Sequence, residues 1–541
     1  MLAVVGCVLL LSGLFVWSAV HAVRFFSAPS VLDEMPVSTR DTTAGLPLAP
    51  DGSVDYLAAY NAEFGEGATP ENNAAVLVLK AFGAEIWSEH GEDEAAELMA
   101  GTRDALGLTA DEPLPDTWLS PYEFVDSGRA TEVAGGEVVD DYVIEELDNK
   151  CRERPWRGEE YPVFAFWLEE NAHALDLLVE ASKRERWFWP AVGGSSPSGL
   201  AEVTLPELSP LRQAGRALAA RAMLAIAEGE PAAACQDALA LRRLGRLVRS
   251  QDGCMIACLV GAALEDLVVD TEMAIALSGS VPVDLKKQLA VQIWALPGVT
   301  GRERVLDKSE RWFAHGELLG HFRKMGISPT PQDFALARGV VDAWYDRAVE
   351  AAGLSPWAER HAALRAIEDE MDAIGDELGS ATGAFTATLQ GGNARQKPLK
   401  MLGLLSWVAC APPGDLYYAI QLSATQRADI TALALLLAVH KAENGNYPGA
   451  LSDLVPELLD EVPQDRFTEG DLIYRRTADG YVLYSLGPNM TDDGGPTEGL
   501  ISDLRVEPGE SDDIGIAVPL PMGPVAPTAT KQAVTGGRAD D

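Results

Sequence analysis

Hydrophobic positions divide the chain into stretches of different character. Leu2 to Val23 reads LAVVGCVLLLSGLFVWSAVHAV and contains no Asp, Glu, Lys or Arg. About 20 apolar residues cross the ~30 Å hydrocarbon core as a helix. The run therefore predicts a transmembrane anchor over residues 1–24. The alternative is a cleaved signal peptide ending at Ala22. The run is longer than the usual core of about 7–15 residues and lacks a basic n-region, which favours an uncleaved anchor. Residues 25–52 turn to Ser, Thr, Pro and small side chains and read as a linker.

From 53 to 390 the apolar spacing is mostly helical. Asn72 to Glu89 predicts one amphipathic helix. Pro162 opens another, with Phe164, Leu168, Ala172, Leu175 and Val179 on one stripe. Ser209-Pro210 has the form of an N-cap followed by a proline at the first helical position, and the helix stops at Gly229. Pro231 starts a partner carrying Leu241, Leu244 and Val248. So short a connection forces antiparallel packing. Cys254 to Leu277 is apolar on nearly all sides and predicts a buried core helix. Its acidic residues Glu265, Asp266, Asp270 and Glu272 argue against a second membrane span. Further helices are expected at 283–295, 302–324, 331–352 and 356–378. Residues 379–398, rich in Gly, Ala and Thr, mark a boundary, and Leu399 to Cys410 is too short to span a bilayer.

Residues 399–515 form a second unit. A helix is expected from about Leu416 to Asn444, ended by Gly445-Asn446-Tyr447-Pro448, and a short helix over Leu451 to Leu459. Two strand patterns follow, Leu472-Ile473-Tyr474 and Tyr481-Val482-Leu483-Tyr484, with Asp479-Gly480 between them as a hairpin signal. Residues 516–541 are rich in Pro, Gly, Ala and Thr and read as a disordered tail. The fold class is thus mainly α: an N-terminal transmembrane helix, a multi-helix body with antiparallel hairpins, and a small C-terminal α+β module.

Charge narrows the function. The 541 residues carry a formal net charge of -40. Phosphate backbones need clustered Lys and Arg, so no nucleic-acid partner is expected. Six cysteines, with no CxxC pair, do not make a disulfide framework: Cys7 lies in the N-terminal apolar run, and Cys151, Cys235, Cys254, Cys258 and Cys410 read as buried thiols.

The C-terminal words carry a resemblance. They are Glu443-Asn444-Gly445-Asn446-Tyr447-Pro448, Leu451-Ser452-Asp453-Leu454-Val455-Pro456, Val462-Pro463-Gln464-Asp465-Arg466-Phe467 and Tyr481-Val482-Leu483-Tyr484-Ser485-Leu486-Gly487-Pro488-Asn489. In order and spacing this segment resembles the head of type II secretion major pseudopilins. The resemblance implies a helix packed on a small antiparallel sheet and a calcium-binding loop after the last motif. The equivalent loop here holds Asn489, Asp492, Asp493, Asp503, Asp512 and Asp513. Calcium takes about 6–8 oxygen ligands, which an acidic, Gly-rich loop supplies; a solvated acidic loop is the alternative. The chain departs from the family in two respects. The head-like segment lies far from the chain start with no prepilin-peptidase site before it, and Arg466 replaces a usual proline. A head reused as a module in a larger protein follows, and the whole resembles membrane-anchored bacterial envelope proteins with a helical body.

Catalytic signatures are sparse. His315 and His321 stand six apart, not the four of a zinc helix, and are separated by about 120° of turn. Glu170 and His173 have the spacing of one half of a di-iron motif whose other half is missing. Trp187-Phe188-Trp189-Pro190 reads as aromatic core. No GxSxG, GxxxxGK[ST] or strand-to-helix GxGxxG occurs.

The reading that follows is a membrane-tethered, non-catalytic interaction or scaffold protein of the bacterial envelope, secretion-associated, with protein partners. The alternative is a membrane-anchored extracytoplasmic hydrolase with a site built from Glu170, His173, His315 and His321. Arg24, the single flanking fixed charge, leans towards a cytoplasmic body. The resemblance outweighs it, because such heads work outside the inner membrane.

Overall fold

A computed structural model describes residues 31–50, 52–114, 118–193, 200, 203–251, 253–299, 302–378, 396–410, 414–496 and 511–519. The expected anchor at 1–24 and the tail from residue 520 on lie outside the described residues. The protein is mainly helical, with a small antiparallel sheet at its C-terminal end.

The longer helices are α1 (Tyr56–Phe64), α2 (Ala74–Phe82), α3 (Glu92–Ala105), α4 (Asp141–Glu153), α5 (Pro162–Glu170) and α6 (Ala172–Ala181). They continue with α7 (Leu208–Glu228), α8 (Pro231–Gln251), α9 (Met255–Leu267), α10 (Val269–Leu277) and α11 (Val283–Trp294). The last are α12 (Arg311–Lys324), α13 (Pro331–Ala352), α14 (Trp357–Leu378), α15 (Lys397–Cys410) and α16 (Gly414–Asn444).

The α7–α8 hairpin forms, but α7 begins at Leu208 with Glu207 at its N-cap, so Ser209 and Pro210 lie inside the first turn and do not open the helix as expected. Gly229 takes the left-handed conformation at φ 82° and its N–H bonds back to the α7 carbonyls, a conformation that costs glycine little. Pro231 then opens α8. Two segments expected as single helices are broken. The helix opened by Pro162 ends at Glu170 because Asn171 turns its side chain onto the Leu119 backbone, accepting from Leu119 N at 2.8 Å and donating to Leu119 O at 3.1 Å. The Cys254–Leu277 segment divides at Val268 into α9 and α10. Asn72–Glu89 shortens to α2 plus one tight turn, Gly83–Trp87, with Asn73 as the N-cap. The segment before α12 contains a widened turn, Val305–Glu310, that periodicity does not reveal.

The α8–α9 contact organises the body. A Cβ on Gly245 would lie 2.7 Å from Gly261 O, and one on Gly261 would lie 2.6 Å from Arg249 N. Only glycine allows so close a backbone approach. Beside this contact, Arg242, Arg246 and Arg249 of α8 meet Glu265 of α9 and Glu272 of α10, all of them buried. Arg242 Nε donates to Glu272 Oε1 at 2.6 Å, and Arg246 Nε and Nη2 grip Glu265 at 3.0 and 2.9 Å. Arg249 Nε lies 3.0 Å from Glu265 Oε1. Burial pushes the Glu265 carboxyl up in pKa, but the three guanidiniums outweigh it and hold the group below its ordinary value. The surplus positive charge faces neutral acceptors. Arg246 Nη1 donates to Pro297 O at 2.8 Å, and Arg249 reaches Gln421 O at 3.1 Å and Thr425 Oγ1 at 2.8 Å on α16. Two of the four acidic residues that argued against a membrane span, Glu265 and Glu272, are thus the anions of a buried ion network, while Asp266 pairs with Arg427 and Asp270 is exposed.

Helix α16 is long and apolar enough to cross a membrane, yet 89% of its most apolar window is buried inside the protein. It packs on α9, α10, α11 and α14 and, at its far end, against β2 and β3. The C-terminal unit therefore borrows its long helix from the body, and one hydrophobic cluster runs from Leu32 to Val518. The sheet comprises β1 (Ile473–Arg476), β2 (Tyr481–Ser485) and β3 (Ile514–Val518), antiparallel in the order β1-β2-β3. Register pairs Arg476 with Tyr481 across the Asp479-Gly480 turn, and Tyr481 with Val518. Strand β3 was not anticipated; it extends past residue 515, where the tail was expected to begin.

The second half of the expected linker is also built in. Leu32 and Met35 are buried, Ser38 N donates to Gly339 O at 2.7 Å, and Lys397 Nζ lies 3.1 Å from Asp33. Thr42 Oγ1 donates to Asp342 at 3.0 Å.

Breaking the buried network from one side leaves guanidinium charge without its partner. Glu265→Gln is expected to cost about 3–5 kcal/mol in denaturant unfolding of the intact chain. Ile256→Ala on the open face of α9, where Ile256 is 60% exposed, should stay within about 0.5 kcal/mol.

Candidate metal centre

The candidate loop leaves β2 and returns into β3. Two glycines shape it. A Cβ on Gly487, at φ 64°, would fall 2.0 Å from Asp512 O, and one on Gly495, at φ 73°, would fall 2.6 Å from the Tyr484 ring. Both positions demand glycine for conformation and for space. The chain is thereby folded so that Asp493, Asp512 and Asp513 each place a carboxylate oxygen within 4.8 Å of the others.

The hydrogen bonds around the three are one-sided. Asn489 N donates to Asp512 Oδ2 at 2.9 Å, Asn489 Nδ2 to Asp493 Oδ2 at 3.0 Å, and Gly495 N to Asp513 Oδ2 at 2.7 Å. The Asp512 and Asp513 Oδ1 atoms are buried and accept no hydrogen bond among the described residues. Asp513 is fully buried. Burial, reinforced by the Asp493 and Asp513 charges, pushes the Asp512 carboxyl up to about 6. Burial also raises Asp513, with Asp493 and Asp492 adding to it.

A cluster of carboxylates that repel one another and keep buried lone pairs unused is chemically suited to a cation. The donors are all oxygen, which favours calcium, magnesium or manganese over zinc or copper. The irregular loop geometry suits calcium, which tolerates varied coordination, better than octahedral magnesium. Asp493, Asp512 and Asp513 would hold the ion.

Of the other residues expected in this loop, Asn489 orients two of the carboxylates through its N–H groups. Asp492 is turned elsewhere: its Oδ1 accepts from Tyr484 Oη at 2.9 Å and from Gly494 N at 2.9 Å. Asp503 lies outside the described residues. Tyr484 and Gly487 were not anticipated as part of the loop's frame. The pattern that could have located them is the alternation of strand β2, which puts Tyr484 over the loop once β3 is recognised.

The four residues considered for a hydrolase keep separate company. Glu170 pairs with Arg129, and His173 is exposed on α6. His315 is fully buried, with Nε2 3.0 Å from Asp342 Oδ1 and Nδ1 3.2 Å from Tyr56 Oη. Burial lowers its pKa, against the pull of Asp342. His321 Nδ1 lies 3.1 Å from Ser406 Oγ on α15. None of the four shares a partner with another. The Tyr56–His315–Asp342 chain was not foreseen, and with all three side chains buried it acts as a core polar network. Trp187, Phe188 and Trp189 are buried, as aromatic core residues should be. The described cysteines are free thiols, with Cys410 the least enclosed of the five.

No known protein family, curated protein or solved structure matches the chain.

The raised Asp512 carboxyl fixes a sign for pH dependence. Its folded pKa of about 6 exceeds the unfolded carboxylate value of ~3.9, so the folded chain binds the extra proton. Without divalent cations, thermal stability should fall as pH rises through roughly 4 to 6. Asp512→Asn should flatten that fall and raise the metal-free melting temperature at neutral pH. The check is a melting series in chelator on both proteins; a parent chain that gains stability over the same window would contradict it.

Proposed function

We propose that this protein is a membrane-tethered, non-catalytic interaction scaffold of the bacterial envelope. Leu2–Val23 anchors it in the inner membrane, the helical body stands on the outer side, and the C-terminal module resembles a pseudopilin head ordered by calcium. The observation that carries the reading is the sequence of parts at the C-terminal end. A long helix is followed by the Tyr447-Pro448 break, a hairpin, and an acidic loop whose Asp493, Asp512 and Asp513 converge after the Gly487-Pro488-Asn489 motif. That order and the oxygen-only donor set support the resemblance, although Arg466, where the family has proline, is used differently: it pairs with Asp429 of α16 at 2.6 Å.

The body supports the scaffold half of the proposal. It joins the module through α16 in one hydrophobic cluster, so the module is carried on a stiff support and not on a tether. The hydrolase reading gains no support from Glu170, His173, His315 and His321, because each is engaged apart from the rest.

Protease added to intact spheroplasts tests the topology. The body is expected to be digested from outside while a cytoplasmic marker survives; protection of the body would contradict the proposal. Photo-cross-linking in intact membranes tests the scaffold. Discrete cross-linked species of constant mass are expected, and a chain recovered solely as monomer would remove the scaffold reading.

A further inference from the structure

Helices α13 and α14, the end of α15 and the start of α16 enclose a cleft of about 550 Å³. Its walls include Leu364, Ile367 and Met371 of α14, Trp407 and Val408 of α15, and Tyr418 of α16. Glu368, Asp372 and Asp376, one helical turn apart on α14, form its rim, and among the described residues no Lys, Arg or His lines it. Glu368 is engaged, accepting from Arg365 at 2.7 Å and from Asp415 N at 3.3 Å. Asp372 and Asp376 have no ion pair among the described residues.

The apolar strip does not stop at the cleft. Val408, which lines the cleft, is 54% exposed, and Leu405 one turn earlier on α15 and Leu416 two residues from Tyr418 on α16 are 51% and 52% exposed. A cavity of this size falls within the ~300–1,000 Å³ range of ligand pockets. A small molecule seated in it would leave Leu405 and Leu416 uncovered. An amphipathic helix covers such a strip with side chains at i, i+3, i+4 and i+7. The acidic rim selects the charge of that helix and disfavours an anionic lipid surface.

We propose that this cleft binds a cationic amphipathic helix of a partner protein, with its apolar face against Leu405, Val408 and Met371 and its Lys or Arg side chains over Asp372 and Asp376. The inference rests on the scaffold reading and names its partner class.

The test uses the full chain in nanodiscs of zwitterionic lipid, a fluorescent amphipathic Leu/Lys helix, and a scrambled peptide of the same composition. The amphipathic probe is expected to bind at least tenfold tighter than the scrambled one. Val408→Glu, and separately Asp372→Lys with Asp376→Lys, should each weaken binding at least tenfold. Glu92→Lys with Asp93→Lys on α3, an equal change of charge, should leave it within twofold. A photo-cross-linker at position 408 should label the probe. Equal binding of the scrambled peptide, indifference to the rim reversal, or cross-links from position 408 solely to this chain or a second copy would overturn the proposal. If Val408→Glu leaves the membrane cross-links of the scaffold test intact and the probe does not bind, the cleft assignment falls and the scaffold stands. If those cross-links never form, the scaffold itself has failed.

Discussion

The body depends on a contact between α8 and α9 that is too close for any side chain but glycine. Gly245 and Gly261 bring the two backbones together, and the close approach leaves room beside it for Arg242, Arg246 and Arg249 to reach Glu265 and Glu272. Neither feature stands without the other. Charges taken from water are tolerated only when paired and hydrogen-bonded, and the pairing here requires the helices to be held at that separation. The network also sets what α16 does. Arg249 donates to Gln421 O and Thr425 Oγ1, while Arg427 returns from α16 to Asp266 at 3.0 Å. A helix whose composition would suit a membrane is thereby fixed as a buried element of the helical body.

Because α16 continues from that network to the sheet, the C-terminal module inherits a rigid base. Its loop is then free to hold a conformation that would otherwise be costly. Three carboxylates converge, two of their oxygens are buried without donors, and Asp512 is driven towards the neutral form. Isolated, such an arrangement opposes folding. A hard divalent cation held by Asp493, Asp512 and Asp513 would make it a clasp between the loop after β2 and the start of β3. The calcium proposal and the shared helix fit one mechanical account, in which an ion would order the module and α16 would couple that order to the body.

Much of this was legible in the sequence, and the misses have physical causes. Helix starts and stops set by Pro and Gly, as at Gly229 and Pro231, were read correctly because they are local. The hairpin at Asp479-Gly480 was read for the same reason. The break at Asn171 was not, because it is made by the distant Leu119 backbone. Glu265 and Glu272 could be recognised as obstacles to a membrane span, but their partners lie on another helix and were invisible to periodicity. Strand β3 was missed because its five residues pair with β2 across a long connection and abut a Pro-rich tail. In the acidic loop, sequence supplied the set of candidates; tertiary contacts decided that Asp493, Asp512 and Asp513 converge while Asp492 serves Tyr484.

The coupling of loop, sheet and α16 is the claim on which the account rests, and hydrogen exchange of the full chain reads it directly. With calcium in place of chelator, amides of the 487–495 loop, β2 and β3 should slow, and the slowing should extend into the sheet-facing end of α16. Exchange profiles that are the same in calcium and chelator across the loop, the sheet and α16 would contradict it.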